Sequence, residues 1–207
     1  MNTIFRSSSL ALAAGLLALA SCNKKDDTVA PASTAQSQTV SSLSAAGTTS
    51  PAGQPVAARH YTFFSLANNV LVPYTDSATT KWDVAFRSTT ILVNSGVSGP
   101  GQGGAQVYTG LYADVTTAPT TGYSVDAAAT KAIPTGSGNG WYTYSSTTNV
   151  VTPIPGRVLL VRTATGQYAK LEIQSYYKDA PASPTSANAS GYYTFRYVYQ
   201  PTGTSLQ

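Results

Sequence analysis

The sequence has almost none of the side chains that bind metals or act as nucleophiles. Its 207 residues include one cysteine, one methionine and one histidine. A single cysteine excludes an internal disulfide, so the fold must rest on its hydrophobic core. One histidine excludes His clusters and Cys/His zinc sites. A Ser-His-Asp triad would have to use His60, and no Gly-x-Ser-x-Gly elbow accompanies it. Charge is also scarce: Asp, Glu, Lys and Arg make up 10% of the chain, too little for long solvated helices. The formal net charge is +4, but the Lys and Arg residues are scattered and form no stripe, so nucleic acid is not an expected partner. Beyond the N-terminal region the carboxylates are Asp76, Asp83, Asp114, Asp126, Glu172 and Asp179. No catalytic residue and no metal site are expected from this inventory.

What is present begins with a leader. Arg6 supplies a positive charge, and an apolar run follows from Leu10 to Ala20. At about 11 residues the run is too short to span a hydrocarbon core of roughly 30 Å. It ends in Leu19-Ala20-Ser21-Cys22, which resembles the bacterial lipobox. That resemblance implies a signal peptide over 1–21, cleavage before Cys22, and lipid attachment at its thiol. Two or three acyl chains suffice for stable anchoring. Lys24-Lys25-Asp26-Asp27 follows and resembles the surface-export signal of Bacteroidota lipoproteins. The implied location is the outer membrane, with the protein exposed at the cell surface.

Residues 28–57 are nearly all Ala, Ser, Thr, Pro, Gln and Gly, with Leu43, Val29, Val40 and Val56 as the larger apolar groups. Such a segment buries too little to offset its chain entropy. Residues 22–57 therefore read as the lipidated cysteine plus a disordered tether, and 58–207 as the folded domain.

From His60 the texture changes to aromatic and β-branched residues punctuated by Gly, Pro, Asn and Asp. The expected fold is an all-β antiparallel sheet or meander. The strands are expected at 60–66, 70–73, 81–86, 90–93, 106–112, 141–145, 150–152, 157–163, 167–176 and 191–200. A short helix is expected at Asp126–Lys131, where three alanines follow a capping Asp. Arg157–Thr163 is apolar on both faces and reads as a central strand. The next strand alternates, with Tyr168, Lys170, Glu172 and Gln174 on its wet face. Tyr193, Phe195, Tyr197 and Tyr199 line one face of the last strand, as core or as a ligand platform. Asn94–Gly104 holds five glycines but no Gly-Lys-Ser/Thr ending, so it reads as a loop needing positive φ rather than a nucleotide cradle.

Several segments in order resemble the HmuY haemophore family: Trp82-Asp83-Val84-Ala85-Phe86-Arg87, the Gly-rich Asn94–Gly104, Gly122-Tyr123-Ser124-Val125-Asp126, Gly140-Trp141, Val158–Gly166, and Tyr193-Thr194-Phe195-Arg196-Tyr197. The resemblance implies a surface lipoprotein with an all-β domain that captures haem for a TonB-dependent outer-membrane transporter, and so a role in iron acquisition. The best-known members hold haem iron between two histidines. One falls in a longer insertion, where this chain has only Ala127–Asn139 and no His. The other falls at Ser146. Tyr142 and Tyr144, near that second position, are the remaining candidates for ferric iron, because Tyr is among the residues that ligate haem. Haem is thus the cofactor the resemblance implies, and otherwise none. The other reading is a lipoprotein of the same fold that binds a different ligand or a surface protein and does not ligate haem iron.

Overall fold

A computed structural model describes residues 34–45 and 60–207. The leader, Cys22 and most of the expected tether lie outside the described residues. Eleven strands are described: β1 (Gln36–Ser44), β2 (Thr62–Ser65), β3 (Val70–Val72), β4 (Val84–Arg87), β5 (Thr90–Val93), β6 (Gly104–Thr109), β7 (Tyr142–Ser145), β8 (Val150–Pro153), β9 (Arg157–Arg162), β10 (Tyr168–Tyr177) and β11 (Ser190–Gln200). Single 3-10 turns occur at Tyr74–Asp76 and Tyr112–Asp114. No helix of the described residues is long and apolar enough to cross a membrane.

The strands form a five-stranded sheet in the order β1-β11-β10-β9-β6, a four-stranded sheet in the order β3-β2-β4-β5, and the separate β7–β8 hairpin. All pairings are antiparallel. The expected meander is β9-β10-β11, where turn-linked strands are neighbours in space. Alternation drives the packing, because successive side chains of a strand point to opposite faces. Leu159 and Val161 of β9, Leu171 and Ile173 of β10, and Tyr193, Phe195 and Tyr197 of β11 enter one core with Phe64, Val84, Phe86 and Ile91 of the smaller sheet. Phe86 stacks on Phe195 at 5.5 Å between ring centres, and Phe64 meets the same ring edge-on at 5.7 Å. The tyrosine row of β11 is therefore a core face. Tyr193 and Tyr197 donate their hydroxyls to the carbonyls of Ser88 and Leu66, so their polar ends are satisfied inside.

Three expectations are corrected. The first is the tether: Gln36–Ser44 is not free chain but strand β1, paired along β11 from Gln36↔Tyr199 to Ser44↔Tyr192. A bulge lies between Val40 and Leu43, with Ser42 at φ 51. Its extra residue lets Val40 and Leu43, three apart, both pack on the core. Ser42 is fixed from both sides: its N–H donates to Thr194 Oγ1, and its Oγ accepts from the Asp179 N–H.

The second correction is the helix at 126–131, which does not form. Asp126 spends its carboxylate on two buried backbone donors, Val93 N–H at 3.1 Å and Ala132 N–H at 2.8 Å. The residues between close as a turn through Ala127 N–H to the Thr130 carbonyl. The third is Lys170 on the wet face of β10: Gln174 is exposed and Glu172 half-buried there, but Lys170 is buried beside a second apolar cluster of Val115, Ala118, Val158, Leu160, Val198 and Leu206. Its ammonium donates to the carbonyls of Val115 and Tyr112 and faces the Tyr112 ring at 4.4 Å.

The Gly-rich segment wraps Asn94. The Asn94 side chain donates to the carbonyls of Thr79 and Trp82 and accepts from Gly101 N–H, and its own carbonyl accepts from Gly103 N–H. Positive φ explains Gly96, at +57°. Close approach explains Gly99 and Gly103: a Cβ there would sit 2.2 Å from Asn94 Oδ1 and 2.6 Å from the Asn94 carbonyl oxygen respectively.

Candidate functional site

The sequence places its candidate tyrosines on β7, and β7 pairs with β8 from Tyr142↔Pro153 to Ser145↔Val150. The turn closes on Asn149 at φ 54, a left-handed conformation that Asn tolerates. The hairpin is rooted in an aromatic cluster. Trp141 packs on Tyr142, Tyr176 and Tyr193 with ring centres 4.9 to 5.7 Å apart, and its indole N–H donates to the Thr89 carbonyl. From the other side the Tyr177 hydroxyl accepts from Val151 N–H at 2.9 Å. Burial pushes the hydroxyls of Tyr176 and Tyr193 above their ordinary range, so neither is a phenolate at neutral pH.

Two residues apart, Tyr142 and Tyr144 have opposite fates. Tyr142 is 8% exposed, and its hydroxyl accepts from Thr89 Oγ1 at 3.2 Å, so it belongs to the aromatic root. Tyr144 is 46% exposed, because the hairpin has by then left the sandwich. Its backbone N–H donates to Ser137 Oγ, and its hydroxyl donates to Asn149 Oδ1 at 2.8 Å across the hairpin. The structure therefore separates the two candidates.

Beside this hairpin lies an open groove of about 470 Å³, within the size range of small-molecule sites. One wall is the hairpin turn with Thr147, Thr148, Asn149 and Val150, and the other is the β10–β11 loop with Thr185 and Ser186. No lining residue is charged, and none is His, Cys or Met. Sequence reasoning missed the second wall: it lies more than thirty residues from the hairpin turn and has only a Ser/Thr/Pro-rich texture to mark it.

The remaining candidates fall elsewhere. His60 is exposed and stacks on Tyr74 at 3.9 Å, against the four-stranded sheet. Among the described residues no three His, Cys, Asp or Glu side chains come together as a metal site. Haem held in the family manner needs an axial donor on each side of the iron, and a cation or dense hydrogen bonding for its two carboxylates. The hairpin offers one exposed phenol, no imidazole and no cation in the groove. The residues present do not fit a two-sided haem site.

Comparison with known proteins gives the setting. The family model described as HmuY protein matches residues 57–197. No curated protein matches the chain. Among solved structures, the chain is similar to a protein of Bacteroides vulgatus described as HmuY-like and heme-binding, at 17% identity, covering 81% of this chain and 93% of that one, with a TM-score of 0.49. It is also similar to the apo HmuY analog of Tannerella forsythia, at 16% identity over 83% of this chain and 100% of that one, with a TM-score of 0.48. A protein of Bacteroides fragilis described as a lipoprotein matches at 16% identity over 81% and 92%, with a TM-score of 0.46. The match of the family model across most of the sheet-forming sequence decides the assignment: the chain belongs to the HmuY family, a family of binding proteins rather than enzymes.

Proposed function

We propose that this chain is an outer-membrane lipoprotein, anchored through Cys22 and facing the cell exterior, that captures a small ligand at the β7–β8 hairpin without paired ligation of haem iron. The observation that carries this reading is the separation of the two tyrosines: Tyr142 is committed to Thr89 inside the fold, and of the two only Tyr144 is exposed on the hairpin. The family role is capture of haem or porphyrin, and delivery to a TonB-dependent transporter is the matching partner role. For this chain the version of that role still open to its residues is a single tyrosinate bond from Tyr144.

The deciding experiment is a titration of the detergent-solubilised full chain with ferric haem, read at the Soret band. The expected result is no bis-imidazole spectrum and no saturable shift. A bis-imidazole spectrum would overturn the reading, and a saturable high-spin tyrosinate spectrum that vanishes in Tyr144→Phe would identify the captured ligand as haem held from one side.

The anchor is tested separately. Two or three acyl chains hold a protein on a bilayer, and removing their attachment point removes that hold. In Cys22→Ala the protein is expected to move from the membrane fraction to the soluble fraction. Retention of the variant on the membrane would end the lipidation reading, and resistance of the parent to protease on intact cells would end the outward orientation.

A further inference from the structure

Four strands end the two sheets: β1, β6, β3 and β5. Three of them are blunted. β1 carries the bulge at Ser42. β3 is three residues long and is followed by Pro73. β5 gives its Val93 N–H to the buried Asp126 carboxylate. Bulges, short strands, prolines and covering groups are the usual devices that keep a sheet edge from pairing further. β6 has none of them beyond Ala105. Gly104–Thr109 pairs with β9 in unbroken register and contains no charged residue and no proline.

The outer side of β6 is only half used. Ala105 exchanges both backbone hydrogen bonds with Ser124, and this fixes the parity of the strand: Ala105, Val107 and Thr109 turn their N–H and C=O groups away from β9. Pairing goes no further than Ser124. The chain before it bends at Gly122, φ +83°, and Gln106 Nε2 holds the Thr121 carbonyl. Among the described residues the backbone groups of Val107 and Thr109 on this side have no protein partner.

Beside that edge, on the outer face of the sheet, lies a groove of about 410 Å³. Its buried lining includes Leu160, Val115 and Ala118, and its exposed lining includes Tyr108 and Asp114. Register puts Tyr108 on this face, because it is paired with Val158 of the second apolar cluster. The Asp114 carboxylate makes no hydrogen bond and no ion pair among the described residues. No lining residue is cationic. The buried Lys170 ammonium below the turn bonds the carbonyls of Tyr112 and Val115 instead.

We infer that the open edge of β6 docks an extended segment of a partner protein, which pairs with Val107 and Thr109 and lays an Arg or Lys side chain across Tyr108 to Asp114. In strand addition the backbone bonds supply affinity, and alternate side chains supply selection. A side chain on the groove side of the added strand lies next to Tyr108, where the ring face and the carboxylate beyond it both attract a cation. Charge also decides against a second copy of this chain as the occupant. Two β6 edges paired about a twofold axis would bring two Asp114 side chains to one interface, with no cation on either strand.

The test titrates the detergent-solubilised full chain with two capped synthetic peptides, Thr-Val-Thr-Arg-Thr-Val-Thr and the same peptide with Glu in place of Arg. Binding is read by calorimetry and by amide hydrogen exchange. Saturable binding of the Arg peptide is expected at millimolar concentration or below, with the Glu peptide weaker by about tenfold or more. Saturating Arg peptide should slow exchange at Val107 and Thr109. Asp114→Lys should reverse the preference between the peptides. Thr109→Pro removes an outward N–H at a strand end, where proline is tolerated, and about a tenfold loss is expected. Asp114 lies on an exposed turn, so the charge reversal keeps the test decisive should Thr109→Pro fail to fold. No saturable binding of the Arg peptide, equal binding of the two peptides, an unchanged preference in Asp114→Lys, or protection confined to another edge would each overturn the inference. Protection of Val107 and Thr109 that rises with protein concentration alone would also overturn it and give the edge to a second copy.

Discussion

Asp83→Ala is expected to cost roughly 2–4 kcal/mol of folding stability, because each buried donor left without an acceptor costs about 1–3 kcal/mol. Asp83 lies just ahead of β4 and is 4% exposed. One carboxylate oxygen accepts from Leu66 N–H at 2.8 Å and the other from Ala164 N–H at 3.0 Å. Leu66 follows β2 in the smaller sheet, and Ala164 lies in the β9–β10 turn of the larger one, so a single side chain ties the two sheets together. At about 2–4 °C per kcal/mol for a domain of this size, the thermal midpoint should fall by roughly 5–15 °C.

The charge on Asp83 adds a pH signature. Burial raises its pKa above the ordinary 3.8, against the opposing pull of the Ala164, Leu66 and Ala67 backbone donors. A carboxyl whose folded pKa is raised binds its proton more tightly folded than unfolded. Its contribution therefore improves as pH falls through the folded value, and levels off below the unfolded value of 3.8. Other titrating groups are common to both proteins, so the difference between wild type and Asp83→Ala isolates this residue. That difference, measured by urea unfolding, should widen on acidification from neutral pH towards 3.8. A difference that narrows over the same range would mean the backbone donors outweigh burial and the folded pKa is depressed.

Asn94→Ala is expected to cost a similar amount, about 2–4 kcal/mol, by orphaning the main-chain groups its side chain satisfies. Asn94 is fully buried and bonds Thr79, Trp82 and Gly101 at 2.8 to 2.9 Å. Asn94→Asp should be at least as damaging, since it turns the amide donor into an acceptor facing two carbonyls. The Gly-rich segment should then lose its scaffold, so limited proteolysis within 95–104 should accelerate in step with the loss of stability. A loss below about 0.5 kcal/mol, the range of an ordinary surface substitution, would remove Asn94 from this role.

How much of this could be read in advance depends on how local the signal is. The β9-β10-β11 meander was legible because its strands alternate cleanly and one of them is apolar on both faces. Strand β1 was not, because its bulge at Ser42 breaks the period of two, and its outward positions are the same Ser, Thr and Gln that mark a tether. The helix expected at Asp126 failed because capping residues also serve as long-range acceptors, and Val93 lies 33 residues away. In the Gly-rich loop composition showed that glycine was needed, but Gly99 and Gly103 are required by the approach of Asn94 rather than by φ. At the site, the position of the tyrosines on a hairpin was legible. Which one is free was not, since that is set by how far β7 extends beyond the core.

With the anchor proposed at Cys22, the docking of β1 would set the length of the leash. From Cys22 to Gln36 the backbone advances by about 14 residues, a contour of roughly 50 Å at full stretch. Peeled off β11, the same chain would run about 38 residues to His60, or roughly 130 Å. Nine residues zipped along a sheet edge thus shorten the domain's range more than twofold, and the hydrogen-bond ladder to β11 works as a take-up reel.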